Sequence, residues 1–260
     1  MSKIISGTEI AEKEIYSNLG TFRDRPILVI FFNRNDSIGQ KYIKAKEKGA
    51  KKAKIKIDLI PYPKSQSGLE KEIIRLNKDP KITGIVLQLP LPKNIGQEVV
   101  YLLNDLKDVD GFYSKFFVPP VARAVKRVLK EIPLWQEKRI LIVGQGEFVG
   151  KKIYHFLSRE NQKIVTALSP KVLKLLLKKN EIIISCVGKP NLIKANKIDD
   201  VLALIDVGTS DVEGKIIGDI EKKAYPKAQM VAPVPGGIGP LTIAYLMDNV
   251  WQASARQKEI

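Results

Sequence analysis

Arg139-Ile140-Leu141-Ile142-Val143-Gly144-Gln145-Gly146-Glu147-Phe148-Val149-Gly150 is an apolar run that breaks into a glycine turn and continues as the start of a helix. An unbroken apolar run of this length, without alternation, suits a strand covered on both faces of a parallel sheet. The glycine spacing, G-x-G-x-x-x-G between strand and helix, is a variant of the dinucleotide fingerprint. There the turn lets main chain approach a pyrophosphate at the first turn of the helix. Gly144, Gln145, Gly146, Val149 and Gly150 are therefore candidate cofactor-binding residues, and this half of the chain reads as a Rossmann-like lobe.

Working outward, the next strand, Lys163 to Ala167, ends at Leu168-Ser169-Pro170-Lys171. A site for NAD normally carries Asp or Glu near this point for the ribose 2′-hydroxyl. None is present, and Ser169 and Lys171 suit a 2′-phosphate instead, so the expected cofactor is NADP, with NAD left open. Further strands are expected at Ile182–Val187 and Leu202–Val207, and a short edge piece at Lys215–Asp219. Upstream, Pro119-Pro120 opens a helix over Val121–Glu131, as prolines do in a first turn. The N-terminal part repeats the alternation. A helix over Thr8–Leu19, capped by Ser6 or Thr8, precedes a strand at Pro26–Phe32. A lysine-rich helix follows, then strands at Ala53–Ile60 and Ile82–Leu87 around a helix at Leu69–Leu76, and a helix over Gly96–Leu106. Strand and helix in alternation mark an α/β protein built of βαβ units.

A chain of 260 residues with 44% apolar content holds two such lobes, each with its own core. Cys186 is the single cysteine, so no intrachain disulfide forms, and no stretch has the makeup of a signal peptide or of a membrane span. These features point to a cytoplasmic protein with no membrane partner. The formal charge of +16 comes largely from lysines, eight of them between Lys41 and Lys56 and a second group at Lys171, Lys174, Lys178 and Lys179. Neither group is interleaved with aromatics and no nucleic-acid motif occurs, so a solvated surface is expected rather than a nucleic-acid partner.

Four constellations carry chemistry. In the lysine-rich helix, Tyr42, Lys46, Gly49 and Ala53 share one stripe while most other lysines point elsewhere. At the end of the strand Ile82–Leu87, Gln88-Leu89-Pro90-Leu91-Pro92 stops the sheet and leaves Gln88 at its C-terminal mouth, where open α/β sheets bind ligands. Lys107-Asp108-Val109-Asp110-Gly111-Phe112 forms a shaped loop. Finally Pro233-Val234-Pro235-Gly236-Gly237-Ile238-Gly239-Pro240 cannot continue a strand or helix interior and leads into a helix from Leu241.

Together these motifs, with Val187-Gly188-Lys189-Pro190 and Ile205-Asp206-Val207-Gly208, resemble the bifunctional methylenetetrahydrofolate dehydrogenase/methenyltetrahydrofolate cyclohydrolase family, in family order and across nearly the whole chain. The resemblance implies two αβα lobes flanking a cleft, residues 1–115 plus 241–260 forming the folate-binding lobe and 116–240 the Rossmann-like lobe, in a homodimer. It implies that Lys46 assists proton transfer in hydrolysis, that Gln88 orients it, that Tyr42 stacks on the folate and that Asp110 receives the pterin N–H groups. Pro235, Gly236 and Gly237 would approach the substrate, and Val187, Gly188 and Gly208 the cofactor; no metal is called for. A basic rim would also suit polyglutamylated folates.

The chain departs from the family pattern at four places. Only Tyr113–Val118 separates the Asp-Val-Asp-Gly-Phe motif from Pro119-Pro120, where relatives have a longer loop and a Pro-Cys-Thr-Pro element. Gly144-Gln145-Gly146 replaces Gly-Arg-Ser, Leu168-Ser169 replaces His-Ser, and Ala232 replaces a threonine. These changes lie on the cofactor side, which keeps two alternatives in play: a cyclohydrolase-dominant or catalytically lapsed folate binder with a weakened NADP site, and another two-lobed NADP-dependent dehydrogenase.

Overall fold

The computed structural model describes residues 2–20, 25–167, 173 and 176–259. In chain order its elements are β1 (Lys3–Ile4), α1 (Gly7–Ile10), β2 (Ile27–Phe32), α2 (Ser37–Lys52), β3 (Lys56–Pro61), α3 (Gln66–Lys78) and β4 (Gly84–Leu87). They continue with α4 (Pro120–Leu129), β5 (Ile140–Val143), α5 (Gly150–Leu157), β6 (Ile164–Ala167), β7 (Ile182–Ser185), β8 (Val201–Asp206), β9 (Thr209–Val212), β10 (Lys215–Gly218), β11 (Ala228–Ala232) and α6 (Ile238–Arg256). Among the described residues, no helix is long and apolar enough to cross a membrane.

The chain forms two compact units, one of Met1–Glu12 with Val121–Thr242 and one of Lys13–Pro120 with Ile243–Ile260. The first, the fingerprint unit, holds a six-stranded parallel sheet in the order β1-β11-β8-β7-β5-β6. Its central strands β5 and β7 are buried at every position, as their unbroken apolar runs require. One face packs Leu141, Ile183, Leu204 and Val231 with Leu173, Leu177, Ile193 and Ala224 into a single core. Three strands were not expected from the sequence: β1 is only two residues long, β9 reads Thr-Ser-Asp-Val, and β11 reads Ala-Gln-Met-Val-Ala. Because Lys3 and Ile4 pair with Met230 and Val231, the first twelve residues group with this unit rather than with residues 13–115. The expected edge piece at 215–219 instead makes a separate antiparallel hairpin of β9 and β10. Its two-residue turn has positive φ at both Glu213 (50°) and Gly214 (80°), the handedness that matches strand twist.

The second, the Lys46 unit, is organised on a three-stranded parallel sheet in the order β3-β2-β4. Leu28, Ile30 and Val86 pack with Ala50 and Ala53 from the α2 end and with Leu246, Met247, Val250 and Trp251 of α6. Trp251 Nε1 donates to Ala53 O at 2.9 Å, which satisfies the one polar atom of that buried ring. Ser65 caps α3 by accepting from Gly68 N at 3.2 Å. Two expected helices are cut short. The span expected as one helix from Thr8 to Leu19 is a turn of α1, a π-turn over Ala11–Ile15 and a 3-10 turn over Tyr16–Asn18; the wider turn keeps both Ala11 and Ile15 buried. The span 96–106 contains only a 3-10 turn over Gln97–Leu102. Asn104 ends it, its side chain accepting from Leu106 N at 2.9 Å in competition with helical bonding.

Candidate active site

In the order β3-β2-β4 three parallel strands end together, and the residues just beyond them meet at one mouth. Gln88 N donates to Phe31 O at 3.0 Å and Tyr62 N donates to Phe32 O at 2.8 Å, so both are hung from the end of β2. Gln88 is then fixed twice more: its Nε2 donates to Leu89 O at 2.9 Å, and its main-chain oxygen accepts from the Tyr62 hydroxyl at 3.0 Å. With the amide nitrogen occupied, Oε1 faces α2 and accepts from Lys46 Nζ at 2.7 Å. Gly49, one turn further along α2, has no space for a side chain, since a Cβ there would lie 2.5 Å from Ile243 Cγ2. Tyr42, one turn before Lys46, is half-buried on the same helix.

Burial holds the Lys46 ammonium below its ordinary pKa, and the Asp110 carboxylate acts in the opposite direction. Asp110 is the mirror case: burial raises its pKa and Lys46 lowers it. Burial thus moves the amine down and the carboxyl up, while the charge of each opposes the other's shift, so their proton affinities are drawn toward one another.

The loop 107–112 divides its labour residue by residue. Lys107 is buried and donates to Leu76 O (2.8 Å) and Asp79 O (2.7 Å), tying off the C-terminal end of α3. Buried Asp108 accepts from the main-chain N–H groups of Phe112, Tyr113 and Ser114 at 3.1, 2.8 and 2.8 Å. Gly111 takes φ +66°, and a Cβ there would lie 2.8 Å from Phe117 O and from Pro119 N. Lys107 and Asp108 are thus scaffold, and Asp110 is the carboxylate that couples to Lys46.

In the fingerprint unit the glycines do unequal work. Gly144 has φ +102° and a Cβ there would lie 2.9 Å from Cys186 O; a Cβ at Gly150 would run into Gly144 O. A Cβ at Gly146 meets nothing within 4 Å, so neither packing nor backbone angle demands glycine there. Val149 precedes α5 and its N–H donates to Gly146 O at 3.3 Å. Gln145 carries the one buried side-chain polar atom, Nε2, without a hydrogen-bond partner among the described residues. A close main-chain turn with an orphaned donor fits a phosphate-bearing ligand.

Next to this turn two fully buried aspartates shape the sheet's C-terminal edge. Asp219 accepts from Ser185 Oγ (2.8 Å), Val187 N (2.7 Å), Gly188 N (3.3 Å) and Lys189 N (2.7 Å). Asp206 accepts from Asp219 N and Ile220 N, both at 3.0 Å, and its pKa is pushed up to about 7, chiefly by burial. The amides of Val187 and Gly188 are therefore turned toward Asp219, Gly188 O accepts from Ser210 Oγ at 2.9 Å, and Val187 is 46% exposed. Gly208 is glycine for packing, because a Cβ there would strike the Asp219 carboxylate. Ser169 and Lys171 lie outside the described residues.

The Pro233–Pro240 loop turns through Gly237 N, which donates to Pro233 O at 2.8 Å, and Gly236, with φ +102°. Gly236 O accepts from Gly7 N at 2.8 Å, and Gly7 lacks the Cβ that would hit Gly237 O. Pro235, preceded by a cis bond, is exposed at the tip.

Of the expected residues, then, Lys46 and Gln88 are in direct contact, Asp110 is electrostatically coupled to Lys46, and Tyr42 stands one turn away on α2. Sequence reasoning missed Tyr62, Asp206 and Asp219. The available signals were weak: a tyrosine between Pro61 and Pro63 directly after a strand, and carboxylates at strand ends beside Gly208 and Gly218.

Comparison with known proteins bears on both units. Residues 5–110 match the profile described as tetrahydrofolate dehydrogenase/cyclohydrolase, catalytic domain, and residues 119–258 match the NAD(P)-binding domain of the same description. The Bifunctional protein FolD of Exiguobacterium sibiricum is 32% identical over 98% of this chain and 100% of its own. Among solved structures, the bifunctional methylenetetrahydrofolate dehydrogenase/cyclohydrolase of Campylobacter jejuni superposes with a TM-score of 0.86 at 26% identity, over 98% of this chain and 99% of that one. The Trypanosoma brucei enzyme, solved with NADP cofactor and inhibitor, gives 0.89 at 26% identity, over 100% and 99%.

Proposed function

The chain belongs to the tetrahydrofolate dehydrogenase/cyclohydrolase family, and from that membership we propose that it oxidises 5,10-methylenetetrahydrofolate to the 5,10-methenyl form with NADP and hydrolyses the product to 10-formyltetrahydrofolate. The observation that carries the reading is the bond from Lys46 Nζ to Gln88 Oε1 at 2.7 Å beside a coupled Asp110.

For hydrolysis, the lowered Lys46 amine takes a proton from the water that adds to the methenyl carbon. As that adduct collapses, the carbon–N5 bond breaks, the carbinol oxygen becomes the formyl oxygen, and its proton passes to N5. The proton on Lys46 then leaves to solvent, so one proton is released per turnover. Gln88 fixes where the amine stands, since it accepts one Nζ hydrogen and is itself held on three sides. Asp110 receives the pterin N–H groups, a planar donor set that a carboxylate fits, and Tyr42 stacks on the folate's aminobenzoyl ring. Pro235, Gly236 and Gly237 complete the substrate set.

NADP, when bound, supplies the hydride acceptor. Gly144, Gln145, Gly146, Val149 and Gly150 would hold its phosphates, with Val187, Gly188 and Gly208 shaping the neighbouring edge and Ser169 and Lys171 meeting the 2′-phosphate. The turn at Gly144 and the unpartnered Gln145 Nε2 support this placement. A second reading, in which hydrolysis outpaces oxidation, is favoured by the same turn: Gln145 stands where relatives carry arginine, so one cation for phosphate is missing. We further assign the chain to a cytoplasmic homodimer acting on folates that include polyglutamylated forms, by family resemblance and its basic surface.

A spectroscopic assay with methylenetetrahydrofolate and either NADP or NAD, followed by methenyl hydrolysis, tests the whole reading. NADP-dependent oxidation with hydrolysis is expected, and Lys46→Met removes the hydrolysis. Strong oxidation with no hydrolysis in the wild-type chain contradicts the role of Lys46. Binding without either turnover identifies a lapsed enzyme.

A further inference from the structure

Tyr62 lies at the centre of the Lys46 mouth and none of the chemistry above uses it. It is the first residue beyond β3, while Gln88 is the first beyond β4, and β2 runs between them. Its ring stacks over Phe31 of β2, centroids 6.0 Å apart and planes 21° from parallel, and its hydroxyl reaches past that strand end to donate to Gln88 O at 3.0 Å. The phenol therefore bridges the two outer strands of the sheet at the residue whose side chain holds Lys46. That carbonyl belongs to the peptide linking Gln88 to Leu89, and Leu89 O in turn receives the Gln88 amide. The groups facing the hydroxyl from the surrounding elements are Gln88 and, electrostatically, Asp110; burial and that carboxylate both resist loss of the phenolic proton, so Tyr62 remains a donor.

We propose that Tyr62 is a positioning residue for the hydrolytic step: by donating to Gln88 O it fixes the amide that holds Lys46, and so sets where the amine stands and how readily it gives up its proton. This rests on the functional reading above. The expectation follows from the length of the relay. Removing the hydroxyl leaves every group that would touch substrate in place but frees the Gln88 peptide, so turnover suffers while affinity does not.

The test is Tyr62→Phe, which keeps the ring over Phe31. Two readouts are taken on full-length protein: the pH dependence of kcat and KM for methenyl hydrolysis, and the titration of Lys46 itself by carbon-13 NMR of its ε-carbon, assigned with Lys46→Met. The proposal expects kcat to fall by roughly 5- to 50-fold with KM within about twofold, within the range of a lost orienting contact, together with a displaced pH limb and a displaced Lys46 titration. An unchanged pH profile and an unchanged Lys46 titration overturn it, as does a loss confined to KM. If the wild-type chain hydrolyses nothing while the Lys46 titration still moves, the functional reading fails and the positioning role stands. Should Tyr62→Phe not fold, 3-fluorotyrosine placed at position 62 strengthens the donor with the ring intact; a moved Lys46 titration supports the proposal and an unmoved one defeats it.

Discussion

Lys46 stands at a position where the unfolded chain would solvate its ammonium and the folded chain partly withdraws it from water. Its folded pKa lies below the ordinary 10.5, so the native state binds fewer protons than the unfolded state over the interval between the two values. Its contribution to stability is therefore adverse at low pH and improves as pH rises through the folded pKa. Lys46→Met should lose at least ~100-fold in hydrolysis, the usual size of a missing general base. Its stability relative to wild type should be most favourable at low pH and should decline as pH rises, as read by urea unfolding between mildly acidic and alkaline buffers. A flat difference across that range would mean that Lys46 is not buried as a cation. Lys46, Gln88 and Asp110 were legible in the sequence because each belongs to a specific motif at a strand mouth or on one helical stripe. Tyr62 was not, because its partner is a main-chain oxygen 26 residues away that only the register of β2 with β3 and β4 brings near. The same holds for the inward-facing amides of Val187 and Gly188, which depend on a carboxylate contributed by the end of the β9–β10 hairpin.

At the level of elements, α3 and the β9–β10 hairpin are each anchored, beyond their own caps and pairing, by a buried ionisable side chain. Lys107 gives two hydrogens to the carbonyls of Leu76 and Asp79. Lys107→Met should cost about 2–3 kcal/mol, because two charge-assisted bonds vanish and two carbonyls near a helix end lose their donor. Urea denaturation measures the loss, and hydrogen exchange should localise it to the last turn of α3. Asp206 gives a prediction of opposite pH character from most carboxylates. Its pKa rises from the ordinary 3.8 to about 7 in the fold, so the native state holds the proton more tightly. Its stabilising contribution is complete below about pH 3.8 and is lost as pH climbs through about 7. The fingerprint unit of wild type should therefore lose stability between pH 5 and 8 more steeply than Asp206→Asn, by unfolding followed at each pH; equal slopes would remove Asp206 as the cause. Periodicity located the long elements well, since unbroken apolar runs make buried strands. It failed where local competition or length decided: at Asn104, which ends a helical pattern early, and at β1, β9 and β11, short strands fixed by their neighbours, β11 beside β1, β10 beside β9 and β8 beside β11.

For the molecule as a whole, the sequence distinguished two α/β regions but drew the division at its N-terminal end by continuity, whereas strand pairing gives the first twelve residues to the fingerprint unit. The charge is a property of the same scale. With 44 basic and 28 acidic residues, the net +16 is carried in large part by exposed lysines, and Lys44, Lys48, Lys51 and Lys54 lie on or just beyond the helix that bears Lys46. Their spacing turns them away from the Lys46 stripe, so they add no contact to the reacting atoms; what they supply is potential around it. Such a field attracts an anionic tail most when salt is low, because the Debye length shrinks from about 10 Å at about 0.1 M to about 3 Å at about 1 M. A folate with a longer glutamate tail carries more charge into that field while its pterin meets the same residues. The advantage of a pentaglutamate over a monoglutamate substrate, expressed as their ratio of KM, should therefore shrink at least ~3-fold between about 0.05 M and about 0.5 M salt, with kcat for each little changed. Reversing Lys44, Lys48 and Lys51 together to glutamate should abolish the tail advantage at low salt and leave monoglutamate turnover nearly intact. A tail preference that survives both high salt and charge reversal would place the glutamate contacts elsewhere on the chain and leave this lysine face as solvated surface alone.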